Sequence, residues 1–229
     1  MLMTMELMKK DNTEIEERFK NVEKSTTFSN IVKSYDLDEK IVLDIGCSYG
    51  EFLAHFGRGS VGLTIAEDEA EYGRVKNLDI RLGNIESENV PIASVERYQA
   101  IFANNIFEHL YSPHAFLGKI KNMLKDEGVI IIGVPCVPKI VSLWNFKKFR
   151  GSLAVSHINF FTRQTLQKTI ERAGFITLEN RSFFFRSRIL DWFMNLISPH
   201  FYVVAKKDNE FKYHPKRLKE LSGYKNIIN

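Results

Sequence analysis

The sequence predicts an α/β fold, a mostly parallel, doubly wound sheet with helices on both faces. Three observations carry this. Apolar, β-branched runs alternate with helical patterns over about 100 residues, the signature of strand–helix–strand units. The runs "KIVLDIG" and "VIIIGVP" are apolar without interruption, as strands buried on both faces must be. The first run ends in the small-residue loop "GCSYG", at the carboxyl end of a strand, where open α/β sheets bind ligands.

Composition sets the outer limits. A chain of 229 residues with 44% hydrophobic and 26% charged side chains is a globular domain with appendages. Two cysteines, Cys47 and Cys136, lie in apolar strand ends, which fits a thiol-reducing cytoplasmic compartment rather than a disulfide framework. No Cys/His cluster has zinc spacing and no acid cluster has a metal-binding pattern, so no metal is expected. The N-terminus lacks a basic region followed by an apolar core, so no signal peptide is expected. The longest apolar run, around "VIIIGVPCV", is too short for a membrane span. The chain carries 32 basic and 28 acidic residues, and the stretch from Ala205 to Asn229 alone holds seven of the former and three of the latter. Such a tail is chiefly a solvated segment, with nucleic acid or anionic lipid as its alternative partners.

The elements follow in order. Residues 1–39 form a polar, mostly helical lead-in, and residues 40–46 the first strand. "EFLAHFG" is a short helix stopped at Gly57. Residues 60–65 form the second strand, and 67–76 a helix with acids in its first turn, which suits the helix dipole. Strands follow at 79–84 and 98–104. Ser112 and Pro113 open a helix whose face is Phe116, Ile120, Met123 and Leu124, closed at Gly128. Residues 129–135 are the fifth strand. The long connection that follows, 137–160, is functional by its length. Thr162 caps a helix stopped at Gly174, and strands at 175–183 and 200–207 bring the count to seven. The aromatic stretch at 184–199 is expected chiefly to pack against the sheet, with a lid or a membrane contact as alternatives. The domain is thus 40–207, with insertions at 137–160 and 184–199 and a basic tail at 208–229.

The loop "GCSYG" admits several readings. It spells G-x-S-x-G, a hydrolase nucleophile elbow centred on Ser48. That elbow normally follows several strands, and no Gly-Gly pair supplies an oxyanion loop here. His157 and His200 follow Ser48 in the right order, but neither has a marked acid partner. A dinucleotide fingerprint needs a third glycine where Glu51 stands, and the G-K-S/T of a phosphate loop is absent. A small-residue loop without these patterns lets a ligand lie against the backbone, and an adenosine joined to an amino acid suits it.

At this point the chain resembles the class I S-adenosylmethionine (SAM)-dependent methyltransferases, over roughly residues 40–207. "VLDIGCSYGEFL" resembles their first motif. "YQAIFANNIFEHLYSPHAFLGKIKNMLKDEGVIIIGVP" resembles their fourth-strand, helix and fifth-strand block. "SHINFFTRQTLQKTIERAGF" resembles the H-x-x-F-F-T segment of a branch acting on small molecules, and "HFYVVAKK" their closing strand. The resemblance implies a Rossmann-like, seven-stranded sheet whose last strand is antiparallel. It implies that Asp44 holds the methionine end of SAM, that Gly46, Ser48 and Gly50 line the loop beneath it, and that Asn104 sits under the sulfonium region. Thr64 stands where the family has an acid for the ribose hydroxyls, a departure that Glu67 could make good. Asn84 stands where it has an Asp for the adenine amino group.

The cofactor carries the hard chemistry, and a hydroxyl acceptor profits from a general base; His109 and His157 are the candidates. With an ionised acceptor no base is needed, and Lys139, Lys147, Lys148 and Arg150 would orient it. "NNIFEH" lacks the prolines of nucleobase N-methyltransferases, which argues against that acceptor class. The branch points to a small molecule, including a sugar or a lipid-linked envelope glycan precursor, methylated at oxygen. An RNA methyltransferase using "KKFR" and the tail, and a non-catalytic scaffold that has lost SAM binding through Thr64 and Asn84, are the alternatives.

Overall fold

The computed structural model describes residues 2–92, 97–136 and 156–216, with side chains from residue 13 onward. Strands β1 (Val42–Ile45), β2 (Val61–Thr64), β3 (Ile80–Leu82), β4 (Tyr98–Asn104), β5 (Leu124–Pro135), β6 (Phe175–Arg181) and β7 (His200–Lys207) form one sheet. Its order is β3-β2-β1-β4-β5-β7-β6. The first five strands run parallel, and β7 lies antiparallel between β5 and β6. The order reverses between β1 and β4, so a crevice opens at the carboxyl ends of these two strands.

The unbroken apolar runs are explained by the two faces they serve. Along β4, Ile101 and Ala103 join one core and Ala100 and Phe102 the other. Along β5, Ile130 and Ile132 face the first and Ile131 the second. Side chains alternate along a strand, so both parities must be apolar when both faces are covered. The first face is covered by helices α4 (Pro113–Met123) and α5 (Arg163–Glu171), through Phe116, Leu117, Ile120, Leu166 and Ile170. The second is covered by α2 (Thr26–Tyr35), through Phe28 and Ile31.

The lead-in is helical as expected: α1 (Leu2–Glu23) and α2, separated at Ser25, which caps α2 by accepting from the Phe28 N–H at 3.2 Å. Helix α3 (Glu67–Val75) follows β2, and Thr162 caps α5 in a reciprocal capping box with Thr165. "EFLAHFG" makes only a 3-10 turn, Leu53–His55.

Two expectations are corrected. Helix α4 ends at Met123, not at Gly128, because Leu124 already pairs with Tyr98 in the sheet. The register shifts before Ala100 meets Val129, and the intervening residues form an irregularity into which Gly128 fits: a Cβ there would lie 2.6 Å from the Leu124 side chain. The aromatic stretch after β6 does not pack chiefly as core. It forms helix α6 (Arg188–Met194), with Ile189, Trp192 and Phe193 exposed at 78%, 59% and 60%. Its buried residue is Asp191. The segment 137–155, with Lys139, Lys147, Lys148, Arg150 and "SLWNF", lies outside the described residues, as does the tail beyond 216.

Candidate functional site

The loop after β1 turns back sharply. Gly46, Ser48 and Gly50 have φ of +72°, +49° and +90°. Glycine is required at the outer two positions, since a Cβ on Gly46 would sit 2.7 Å from Ile106 and one on Gly50 2.6 Å from Leu78. The N–H groups of Gly46 and Cys47 both donate to the Leu63 carbonyl, which ties the loop to β2.

Asp44, on β1 just before this turn, is buried, and its Oδ2 has no hydrogen-bond partner among the described residues. Burial, with the Glu51 carboxylate nearby, holds its carboxyl well above the usual range. An acid kept at such cost is complementary to a cation or a hydroxyl pair arriving from outside. Asn104, at the end of β4, likewise presents a buried Oδ1 without a partner. Gly133 on β5 makes room for it, because a Cβ there would lie 2.5 Å from both that oxygen and the Tyr202 ring.

Ser48 has a different partner from the one a nucleophile needs. Its hydroxyl donates to Glu69 Oε1 at 2.9 Å. Thr64, the departure from an acidic strand end, donates to the other oxygen of the same carboxylate and accepts from the Ala66 N–H at 3.2 Å. Glu69 of α3 thus carries an acid to the end of β2, where Thr64 lacks one. Glu67 is exposed at the start of α3 and is not the residue drawn into this contact. Asn84 Oδ1 accepts from the Glu86 N–H at 2.9 Å, so it shapes its own turn.

Sequence reasoning missed how the lead-in closes over this loop. Arg18 of α1 pairs with the buried Glu51 at 2.8 Å and lies over the Tyr49 ring at 5.4 Å. Phe19 meets Tyr72, and Glu16 bonds both Tyr72 and Lys76 at 3.0 and 2.7 Å. Glu69 was legible in principle, as an acid one turn beyond a strand end that lacks one.

Two groups of side chains pack on the segment that follows Asn104. In the first, the "HINFFT" segment docks on the turn after β4: the N–H groups of Ile158 and Asn159 donate to the Glu108 carbonyl at 3.1 and 2.9 Å, and Phe161 packs on Phe107. This brings His109 and His157 together, ring centroids 4.8 Å apart, beside the buried Glu108. Burial pushes the Glu108 carboxyl up. In the second, a cleft of about 330 Å³ lies between the lead-in and the ends of β6 and β7. Phe28, Phe52 and Phe184 form its apolar wall, and Ser25, Thr27, Ser182, Ser198 and His200 its polar groups. His200 lies against Asn105 Oδ1, Nε2 to oxygen 2.8 Å, and burial lowers its pKa to about 4.

That value fixes a pH dependence. The unfolded chain takes up the His200 proton near 6.5, the folded one only near 4. The stability from the neutral imidazole is therefore whole above pH 6.5 and lost as pH falls towards 4, up to about 3 kcal/mol. Urea titrations from pH 7.5 to 4 are expected to show this slope, and His200→Gln to flatten it.

A doubly wound sheet of this strand order, with an acid and a glycine turn at the end of β1 and an antiparallel β7, is the fold of class I SAM-dependent methyltransferases. A family model described as "Methyltransferase domain" matches residues 17–180, and the chain belongs to that family. Among curated proteins it is 30% identical over 111 residues to the ubiquinone biosynthesis O-methyltransferase of Glaesserella parasuis, covering 44% of this chain and 47% of that one. It is 28% identical over 108 residues to (S)-coclaurine N-methyltransferase of Papaver somniferum, covering 43% and 30%. The chain thus spans less than half the length of these two relatives. In fold it is similar to the methyltransferase solved with the Haloferax volcanii Trm112 activator, with a TM-score of 0.61, 14% identity, and 85% and 96% of the two chains covered. A SAM-dependent methyltransferase from Mesorhizobium loti gives a TM-score of 0.59, 11% identity, and 81% and 100% coverage.

The residues present fit SAM. The unpartnered Asp44 Oδ2 and Asn104 Oδ1 and the left-handed turn are a polar, close-approach cradle for its amino-acid and ribose groups.

Proposed function

We propose that the chain methylates a hydroxyl of a small, uncharged or lipid-linked acceptor, a sugar or envelope glycan precursor being the preferred class. The cleft beside Asn105 carries this reading. Its lining holds aromatic faces and hydroxyls, with no Lys, Arg, Asp or Glu among the described residues. Aromatic faces with neighbouring hydroxyls suit the apolar faces and hydroxyls of a sugar, whereas a polyanion would find no countercharge among the described lining residues. The exposed apolar side of α6, next to the Phe184 wall, supports an acceptor presented at a lipid surface.

When bound, SAM supplies a methyl group activated by the sulfonium. The chain's own residues do the rest. Asp44, Asn104 and the loop at Gly46, Ser48 and Gly50 hold and orient the cofactor, with Glu69 in place of the missing acid at Thr64. Asn84 shapes the adenine side by its turn. The cleft excludes water and aligns the acceptor, which is where most of the rate gain in such a transfer originates. His109 and His157 are the side chains placed to take the hydroxyl proton.

The test is transfer of labelled methyl from SAM to a panel of sugars, lipid-linked sugars, phenols and RNA. Incorporation into hydroxyls of the first two classes is expected. Incorporation into RNA alone, with steep salt dependence, would replace this reading with the nucleic-acid one. Absence of calorimetric binding by both SAM and S-adenosylhomocysteine would leave a scaffold.

A further inference from the structure

We propose that Glu108, His109 and His157 form a binding site for a divalent transition cation of the Zn²⁺ or Mn²⁺ class. Their ligand atoms all lie within 4.8 Å of one another. Glu108 Oε1 is 3.9 Å from His109 Nε2 and 4.0 Å from His157 Nε2. These separations are too long for hydrogen bonds. They are close to what two ligands show across a shared ion: at about 2.1 Å from each, tetrahedral ligands are about 3.4 Å apart. Closing the Glu–His pairs thus needs roughly half an ångström. His109, with its side chain 35% exposed, has room to swing.

Two further observations point to a ligand. The Glu108 side chain is 1% exposed, yet neither carboxylate oxygen has a hydrogen-bond partner among the described residues. A buried carboxylate is retained in that condition only where something compensates it. His109 has the orientation of a metal ligand: its Nδ1–H donates to the Ser156 carbonyl at 3.0 Å, which leaves the Nε2 lone pair towards Glu108. An outward bond of this kind fixes the ring tautomer in metal sites.

The site is assembled before any ion arrives. Glu108 and His109 sit on the 3-10 turn after β4, and His157 on the docked "HINFFT" segment. The Glu108 carbonyl holds that segment through two backbone N–H groups, and Asn159 Nδ2 adds a bond to the Leu110 carbonyl at 2.6 Å. The ligands come from segments far apart in the chain, so no sequence spacing announces them. Two imidazoles and one carboxylate suit Zn²⁺, Mn²⁺ or Fe²⁺ and leave coordination positions open.

Resting on the reading of hydroxyl methylation above, this site has a role there, with the two histidines acting as ligands in place of proton acceptors. An acceptor hydroxyl on an open position loses its proton to solvent more readily. The oxygen then forms its bond to the methyl carbon as the sulfonium carbon–sulfur bond breaks, releasing S-adenosylhomocysteine.

The experiment titrates EDTA-stripped protein with ZnCl₂ and, separately, MnCl₂, by calorimetry and metal analysis. S-adenosylhomocysteine is titrated into the same samples. One ion per chain is expected for wild type, with affinity at least 100-fold weaker in Glu108→Gln and in His157→Ala. S-adenosylhomocysteine affinity is expected to stay within a few fold in both. His109→Ala, at the more exposed ligand, serves where the buried substitution does not fold. No stoichiometric uptake of either ion, or uptake indifferent to all three substitutions, would overturn the site. Loss of S-adenosylhomocysteine binding in wild type would count against the methyltransferase reading instead. Metal uptake without hydroxyl methylation would uphold the site and remove its proposed role.

Discussion

Asp44→Ala is expected to weaken SAM binding by a factor of 100 or more while leaving the ligand-free protein as stable as wild type, or more so. The carboxylate is buried, has an unpartnered Oδ2, and faces Glu51. Breaking a buried, charge-assisted contact costs about 3–5 kcal/mol, or roughly two to three and a half decades in affinity. The ligand-free protein gains from the same change, because a strained, desolvated acid is removed. Ser48→Ala is expected to cost less than tenfold. It loses one bond to Glu69 and keeps the loop backbone, since alanine tolerates φ of +49° no worse than serine does. Calorimetry and thermal unfolding of the two variants, with and without ligand, check this. Tight SAM binding by Asp44→Ala, with loss in Ser48→Ala, would sink the assignment of the loop. A coupled sign follows: the raised Asp44 carboxyl releases a proton when a cation or donor arrives, so the binding heat is expected to depend on the ionisation heat of the buffer.

The contrast between Asp44 and Glu69 shows what was legible. The fold was written in local signals: strand runs apolar at both parities, Thr162 as a cap, Ser112 and Pro113 opening α4. The first motif made the turn at Gly46, Ser48 and Gly50 legible because backbone conformation itself demands small residues at a left-handed turn, while Asp44 was read from the resemblance. Glu69 was announced only by the missing acid at Thr64, while Arg18 and the meeting of His109 with His157 were hidden because each depends on which elements dock. Arg18 reaches the loop only because α1 folds back over Tyr49 and Tyr72. The stretch at 184–199 misled for a related reason. Its aromatic density looked like core, yet the anchor is a single acid.

That acid is the second residue whose loss is expected to be large. Asp191 is fully buried, and its two oxygens serve four donors: Arg181 Nη1 at 3.0 Å, the Ser182 hydroxyl at 3.1 Å, and the N–H groups of Phe183 and Phe185 at 2.8 and 3.0 Å. Asn30 of α2 completes the arrangement by donating to the Phe183 and Phe184 carbonyls at 3.0 and 3.1 Å. The turn at 182–185 is held against its own preference, Phe183 having φ of +56°. Asp191→Ala would leave Arg181 with Glu179 as its only acidic partner among the described residues, and would take the acceptor from the buried Phe183 N–H and the half-buried Phe185 N–H. A loss of about 3 kcal/mol or more in urea unfolding is expected. Because Ser182 and Phe184 wall the cleft, the acceptor KM is expected to rise several fold in Asp191→Asn, with SAM affinity unchanged. That split separates a cleft-shaping turn from a merely structural one. Equal changes in both affinities would mean that the turn reports on the whole fold and that the acceptor binds elsewhere.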